Sequence, residues 1–225
     1  MRHIVFDTET TGMNAEGEDR IIEIGALELV NFVPTGKVYH QYINPERAIP
    51  ADATAVHGIT DADVADKPVY AEIVAAWDDF IGEDAILVAH NAEFDMRFIN
   101  AEYRRLGMAT LPKTRFLDTL AMARKMFPGA PASLDALCRR YNVDNSKRVY
   151  HGALMDAELL AEVFLEMEGG RQPELLGGGN NAQSAEESAN FEMKQWPARD
   201  FAPSAEELQA HDAMLATLKE PIWNS

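Results

Sequence analysis

A chain of 225 residues, 47% hydrophobic and 25% charged, is long enough for one ordinary domain with a sizeable core plus an appendage. Its single cysteine, Cys138, excludes an intrachain disulfide framework and fits a reducing cytoplasm. No apolar run approaches the roughly 18 residues of a membrane helix, Met1-Arg2-His3 enters a strand pattern rather than a signal peptide, and a net charge of −17 argues against a tight, purely electrostatic grip on nucleic acid.

Three short stretches, 2–7, 20–30 and 37–43, are rich in Val, Ile, Leu, Phe and Tyr and are separated by Gly, Asn and Pro; they read as a strand meander. Residues 70–82 and 92–107 then show helical spacing, with a buried strand at 85–89 between them. A strand near 114–118 follows, then helices near 118–126, 133–141 and 152–168, the second with Ser133 as its N-cap. Cys138 shares a helical face with Leu134, Leu137 and Tyr141 and reads as core. Three strands followed by alternating strand and helix predict an α/β fold, a mixed five-stranded sheet flanked by helices over residues 1–168.

The composition changes at Gly169-Gly170. Residues 169–190, with Gly177-Gly178-Gly179-Asn180-Asn181 at their centre, read as a flexible linker. Beyond it, in 191–225, Phe191, Met193, Trp196 and Phe201 lead into a helical segment at 204–219. A tail this short cannot bury such side chains alone, so it folds on a partner or docks back on the domain. Charge is uneven as well. Residues 1–112 hold 8 basic and 20 acidic side chains, a balance of −12, whereas 113–150 hold 8 basic and 3 acidic, a balance of +5. That window, ending beside His151, is either a solvated helix face or a rim that guides phosphates.

Three motifs carry the chemistry: Asp7-Thr8-Glu9-Thr10-Thr11-Gly12, His90-Asn91-Ala92-Glu93-Phe94-Asp95 and His151-Gly152-Ala153-Leu154-Met155-Asp156. Each sets carboxylates at the edge of an apolar element, where like charges resist joint ionisation. A divalent cation is the simplest remedy, and all-oxygen ligands favour magnesium or manganese. Asp7 and Glu9, two apart on a strand, leave the same face. Asp95 converges on them if its strand is a sheet neighbour. His151 and Asp156 are five apart, so His151 is expected on a loop or first turn with Asp156 pointing inward. Two ions at such a cluster would activate water, hold a scissile phosphate and stabilise the leaving oxygen. Histidine, with a reference pKa of roughly 6.5, suits the proton-accepting role. Asn91 as a helix cap with Asp95 exposed is the alternative reading of the second motif.

With these motifs in this order, the sequence resembles the DEDD exonuclease superfamily, in the subgroup with histidine in the third motif, and within it the proofreading subunits of bacterial replicative DNA polymerases. The likeness spans most of residues 2–168. It extends to Ile21-Ile22-Glu23-Ile24-Gly25, Val56-His57-Gly58-Ile59, Ala123 to Gly129, Ser133 to Cys138 and Asp144 to Arg148. It implies a ribonuclease H-like fold and release of nucleoside monophosphates from a 3′ end. Carried over residue by residue, it implies Asp7, Glu9 and Asp156 as direct metal ligands, with Asp7 bridging two Mg2+ or Mn2+ ions. Asp95 would hold the second ion largely through water, and His151 would be the general base. Asp7, Glu9, Asp156, Thr10, Thr11, Gly12, His57 and His90 would surround the terminal nucleotide, although His57 and His90 also read as satisfied histidines beside turns.

The resemblance further implies a single-stranded or frayed 3′ DNA end as substrate, and binding of the polymerase (alpha) subunit through 191–225, where Phe201 to His211 is similar to the family's binding segment. Gln172-Pro173-Glu174-Leu175-Leu176 is similar to short motifs that engage the sliding clamp, although it lacks the usual final Phe. A small stabilising subunit is a further expected partner. Two rival readings remain open: an RNA 3′-exonuclease, which would share the same five residues, and a non-catalytic scaffold subunit of a polymerase.

Overall fold

The computed structural model describes residues 1–146, 151–169 and 203–217. The chain divides into two units, Met1–Leu176 and Gly177–Ser225.

The first unit is built on five strands, β1 (Arg2–Thr10), β2 (Ile21–Val30), β3 (Val33–Tyr42), β4 (Ile86–Ala89) and β5 (Phe116–Asp118), in spatial order β3-β2-β1-β4-β5. β1 pairs antiparallel with β2 and β2 with β3, while β4 runs parallel to β1 and to β5. The central strands are apolar on both sides because both faces of the sheet are covered. Ile4, Phe6, Ile24, Ala26 and Leu87 face a core completed by α3 (Tyr70–Ile81) and α4 (Ala92–Arg105), with Trp77 and Phe98 fully buried. Val5, Leu27, Leu29 and Val88 face the opposite core, formed by α6 (Leu134–Tyr141) and α7 (Ala153–Met167). Cys138 is fully buried in this second core, as its helical face predicts.

The period of two along β1 fixes what happens at its C-terminal end. Thr8 continues the Ile4–Phe6 face toward α4, while Asp7 and Glu9 continue the Val5 face toward α7. On β2 the residues opposite them are Gly25 and Glu23.

Two helices stand where no helix was expected, α1 (Ala51–His57) and α2 (Asp61–Val64). At seven and four residues they are too short to show a helical hydrophobic period. Gly58 ends α1 at φ 76°, the left-handed region, and its N–H closes on the Thr54 carbonyl at 2.8 Å. β1 runs three residues beyond the expected 2–7, and β3 begins at Val33 rather than 37. Pro34 and Gly36 hid that start, but an edge strand tolerates them. Ser133 caps α6 as expected, its hydroxyl accepting from the Ala136 N–H at 3.3 Å, and α5 (Thr119–Met126) is capped by Asp118.

In the second unit, α8 (Ala205–Leu215) opens with a capping box in which Ser204 and Glu207 bond reciprocally. None of its residues is buried. The expected linker beyond Gly169 and the remainder of the tail, including Gln172, Leu175 and Leu176, lie outside the described residues. Among the described residues, no helix is long and apolar enough to cross a membrane.

Candidate active site

Glu9, near the end of β1, and Asp156, in the first turn of α7, are both buried, at 8% and 4% exposure. His151 precedes α7, with Gly152 as the N-cap, and is half-exposed with its Nδ1 3.2 Å from Asp156 Oδ2. One ligand atom from each of Glu9, His151 and Asp156 falls within 4.8 Å of the others. The expectation that His151 lies just outside the helix while Asp156 points inward therefore matches the geometry. Asp7, half-buried on the same face of β1 as Glu9, is not one of that triplet.

Asp95 is 2% exposed, which overturns the alternative in which it is a solvated helix residue. It accepts a hydrogen bond from the Thr8 hydroxyl at 2.7 Å, so β1 reaches it through the face opposite to Glu9. Burial, reinforced by the charge of Asp118, pushes the Asp95 carboxyl up to about 7 against the pull of the Thr8 hydrogen bond. Asn91 stands at the N-cap position of α4, as in that alternative, but makes no side-chain cap bond. It adopts φ 70°, and its N–H is accepted by Asp118 at 3.0 Å, turning the chain from β4 into α4.

Beside this cluster lies a cleft of about 490 Å³ whose walls include Thr10, Gly12, Met13, Val56, His57 and Phe94. The Thr10 hydroxyl donates to the Gly12 carbonyl at 2.6 Å, and next to it in the chain the Thr11 N–H is accepted by Arg20 O at 2.9 Å. His57 is buried, with its Nδ1 accepting from the Ile59 N–H at 3.0 Å. Burial lowers its affinity for a proton; the Thr10 carbonyl opposes this and His151 adds to it. His90 sits differently: its Nδ1 lies 2.9 Å from Thr119 Oγ1, and it is not among the residues lining the cleft. Met13, Val56 and Phe94 also line the cleft; Met13 directly follows the first motif, and Val56 and Phe94 lie within stretches singled out in the sequence without a role of their own.

In the basic window, Arg115 is committed to the Gly82 and Ala85 carbonyls, and Arg140 lies over the Phe127 ring. Arg124, Lys125 and Arg139 are exposed, and Lys147 and Arg148 lie outside the described residues.

Residues 4–164 match the exonuclease family. DNA polymerase III subunit epsilon of Rickettsia felis is 44% identical over 224 residues, 97% of each chain. That of Escherichia coli K12 is 45% identical over 225 residues, covering 95% of this chain and 92% of the relative. The chain belongs to the DNA polymerase III epsilon family of exonucleases. Members of that family are proofreading 3′–5′ exonucleases, and this chain is a 3′–5′ exonuclease. Two solved structures share its architecture. Exonuclease X in complex with 5′ overhanging duplex DNA is 27% identical, with a TM-score of 0.56 over 74% of this chain and 89% of that one. The nuclease domain of 3′hExo, a DEDDh family member bound to rAMP, is 18% identical, with a TM-score of 0.63 over 74% of this chain and 91% of that one, and shows the common ribonuclease H-like fold. Exonucleases of this family depend on divalent metal. The donor set here fits such an ion, since buried Glu9 and Asp156 bring two carboxylates within reach of a single cation.

Proposed function

We propose that this chain removes mispaired nucleotides from 3′ DNA ends as the proofreading subunit of DNA polymerase III, in the cytoplasm, with His151 as general base and Asp7, Glu9, Asp95 and Asp156 as the metal-holding carboxylates. The observation that carries this reading is the convergence of Glu9, His151 and Asp156, within 4.8 Å, beside an open cleft. Two Mg2+ or Mn2+ ions, when bound, supply the positive charge that offsets the developing charge on the phosphate oxygens.

The chain's own side chains do the rest. Asp156 holds the His151 ring through Nδ1, which leaves proton acceptance from the attacking water to Nε2. Thr10, Thr11 and Gly12 present backbone along the terminal nucleotide, and Met13, Val56 and Phe94 offer an apolar wall to its base. His57, kept neutral by burial, contributes shape rather than charge. His90, tied to Thr119, supports the β4 end of the pocket from behind. The exposed Arg124, Lys125 and Arg139 give weak contacts to the phosphate backbone. A cleft that takes an unstacked end selects mispairs through fraying, because a mismatched terminus costs less to separate than a paired one.

Residues 191–225 bind the DNA polymerase III alpha subunit in this reading, 172–176 engage the sliding clamp, and a small subunit stabilises the nuclease domain. The capped but unburied helix α8 supports the first of these, as a helix whose packing surface belongs to a partner. Truncation tests the division of labour. A chain ending at Gly169 is expected to digest 3′-mispaired primers at the full-length rate and to lose binding to the alpha subunit in pull-down. Loss of digestion on truncation, or retained binding, would contradict it.

A further inference from the structure

Glu23 takes no part in holding metal or moving a proton in the mechanism above, yet it is 2% exposed and stands directly opposite Glu9 in the β1–β2 ladder. A buried carboxylate next to an acidic cluster is costly unless it is fully bonded. Glu23 is held at both oxygens: its Oε2 accepts the backbone N–H of Ala153 at 3.1 Å, and its Oε1 lies 2.7 Å from His40 Nε2.

Ala153 is the first residue of α7, and its N-cap, Gly152, has no side chain with which to cap the helix. A carboxylate reaching across from β2 replaces that cap, satisfying an N–H that would otherwise be buried without a partner and complementing the positive end of the helix dipole. Two residues further along the same face of β2, Gly25 allows the α7 backbone to come so close that a Cβ there would lie 2.1 Å from Leu154 N. Side chain and glycine together fix both the height and the approach of the first turn. His151 lies two residues before Ala153, and Asp156 three residues after it.

We infer that Glu23 is a positioning residue: its bond to the Ala153 N–H sets the start of α7 so that His151 and Asp156 meet Glu9. The inference rests on the reading of His151 as base and Asp156 as metal ligand. It explains why a charged side chain occupies a strand position whose neighbours along the same face, Gly25, Leu27 and Leu29, are apolar or small.

The test uses the full chain with Glu23→Ala, Glu23→Gln and His151→Ala, assayed on a single-stranded oligodeoxynucleotide, with Mn2+ affinity measured separately by calorimetry. Glu23→Ala is expected to lower kcat by about 10- to 100-fold, as a small misplacement of reacting groups does, while KM stays within about twofold. Mn2+ affinity should fall by about tenfold, because Asp156 rides on the same helical turn. Glu23→Gln keeps an oxygen for the Ala153 N–H and is expected to recover most of the lost kcat. Should Glu23→Ala fail to fold, Glu23→Asp, one methylene too short to span from β2 to Ala153, carries the same expectation as the alanine variant. Wild-type kcat and Mn2+ affinity in Glu23→Ala would overturn the inference, as would equal losses in the Ala and Gln variants that merely follow their melting temperatures. His151→Ala separates the two layers of the reading: full activity there would remove the general base itself, whatever Glu23 does to Mn2+ binding.

Discussion

α4 carries Asp95 and α7 carries Asp156, and the sheet holds the two helices in opposite ways. α4 brings in Asp95, and β1 grips the carboxylate itself through the Thr8 hydroxyl; the group is closed off from water and its proton affinity is raised. α7 brings in Asp156, but there β2 grips the helix start, through Glu23 on a backbone N–H and through the absent side chain of Gly25. His151, on the chain just before that start, stays half-exposed. The contrast shows how one sheet edge can serve two needs. A buried carboxylate can be locked individually, whereas a half-exposed side chain just before a helix is placed by fixing the backbone that leads to it.

Breaking the α7 anchor should have the largest effect. Gly25→Ala forces a Cβ into the Ala153–Leu154 backbone, which cannot swing aside as a flexible side chain would. Overpacking of this kind costs about 1–3 kcal/mol, and displacement of α7 should take catalysis down by about 100-fold. Thermal melting and exonuclease rate check the two separately; a variant that melts like the wild type with full activity would show that the close approach is dispensable.

Loosening the α4 side is milder. Thr8→Val keeps the shape and removes the donor to Asp95, so a loss of about 1–3 kcal/mol in stability is expected. Its activity should fall by less than that of Gly25→Ala, because α4 keeps its own turn at Asn91 and its packing through Phe98. A rate loss as deep as that of the glycine variant would erase the contrast between the helices.

The smallest effect is a pH signature of Asp95. Its folded-state pKa of about 7 lies above the ordinary carboxylate value of 3.8, so between these limits the metal-free folded protein binds more protons here than the unfolded chain. Stability from this group is therefore greatest at acid pH and declines as pH rises through the window. A divalent ion favours the ionised form, so Mn2+ should raise the melting temperature more at pH 8 than at pH 5. Equal shifts at both pH values would mean that Asp95 does not respond to the ion.

Much of this arrangement was legible in the sequence. The apolar runs before Asp7 and His90 located β1 and β4, and the five-residue spacing of His151 and Asp156 required a loop-to-helix junction between them. The strand period put Asp7 and Glu9 on one face. What escaped is what depends on contacts between distant parts of the chain. The Thr8–Asp95 bond spans 87 residues and the Glu23–Ala153 bond spans 130, and no local pattern encodes either. α1 and α2 were missed because one or two turns cannot show a hydrophobic period, although His57 itself was expected beside the terminal nucleotide and does line the cleft. At Asn91 the residue type suggested a cap, and it does sit at the N-cap of α4, but it serves there through its tolerance of positive φ rather than through its side chain.

The most direct measurement is a gel time course on 5′-labelled single-stranded DNA and an RNA of the same sequence, with magnesium and with EDTA, for the wild type and Asp7→Ala. A ladder shortening from the 3′ end of DNA, far slower on RNA and absent with EDTA or Asp7→Ala, is the expected result. Faster digestion of RNA would assign the cleft to a different substrate, and undiminished cleavage by Asp7→Ala or in EDTA would contradict a metal centre built on these carboxylates.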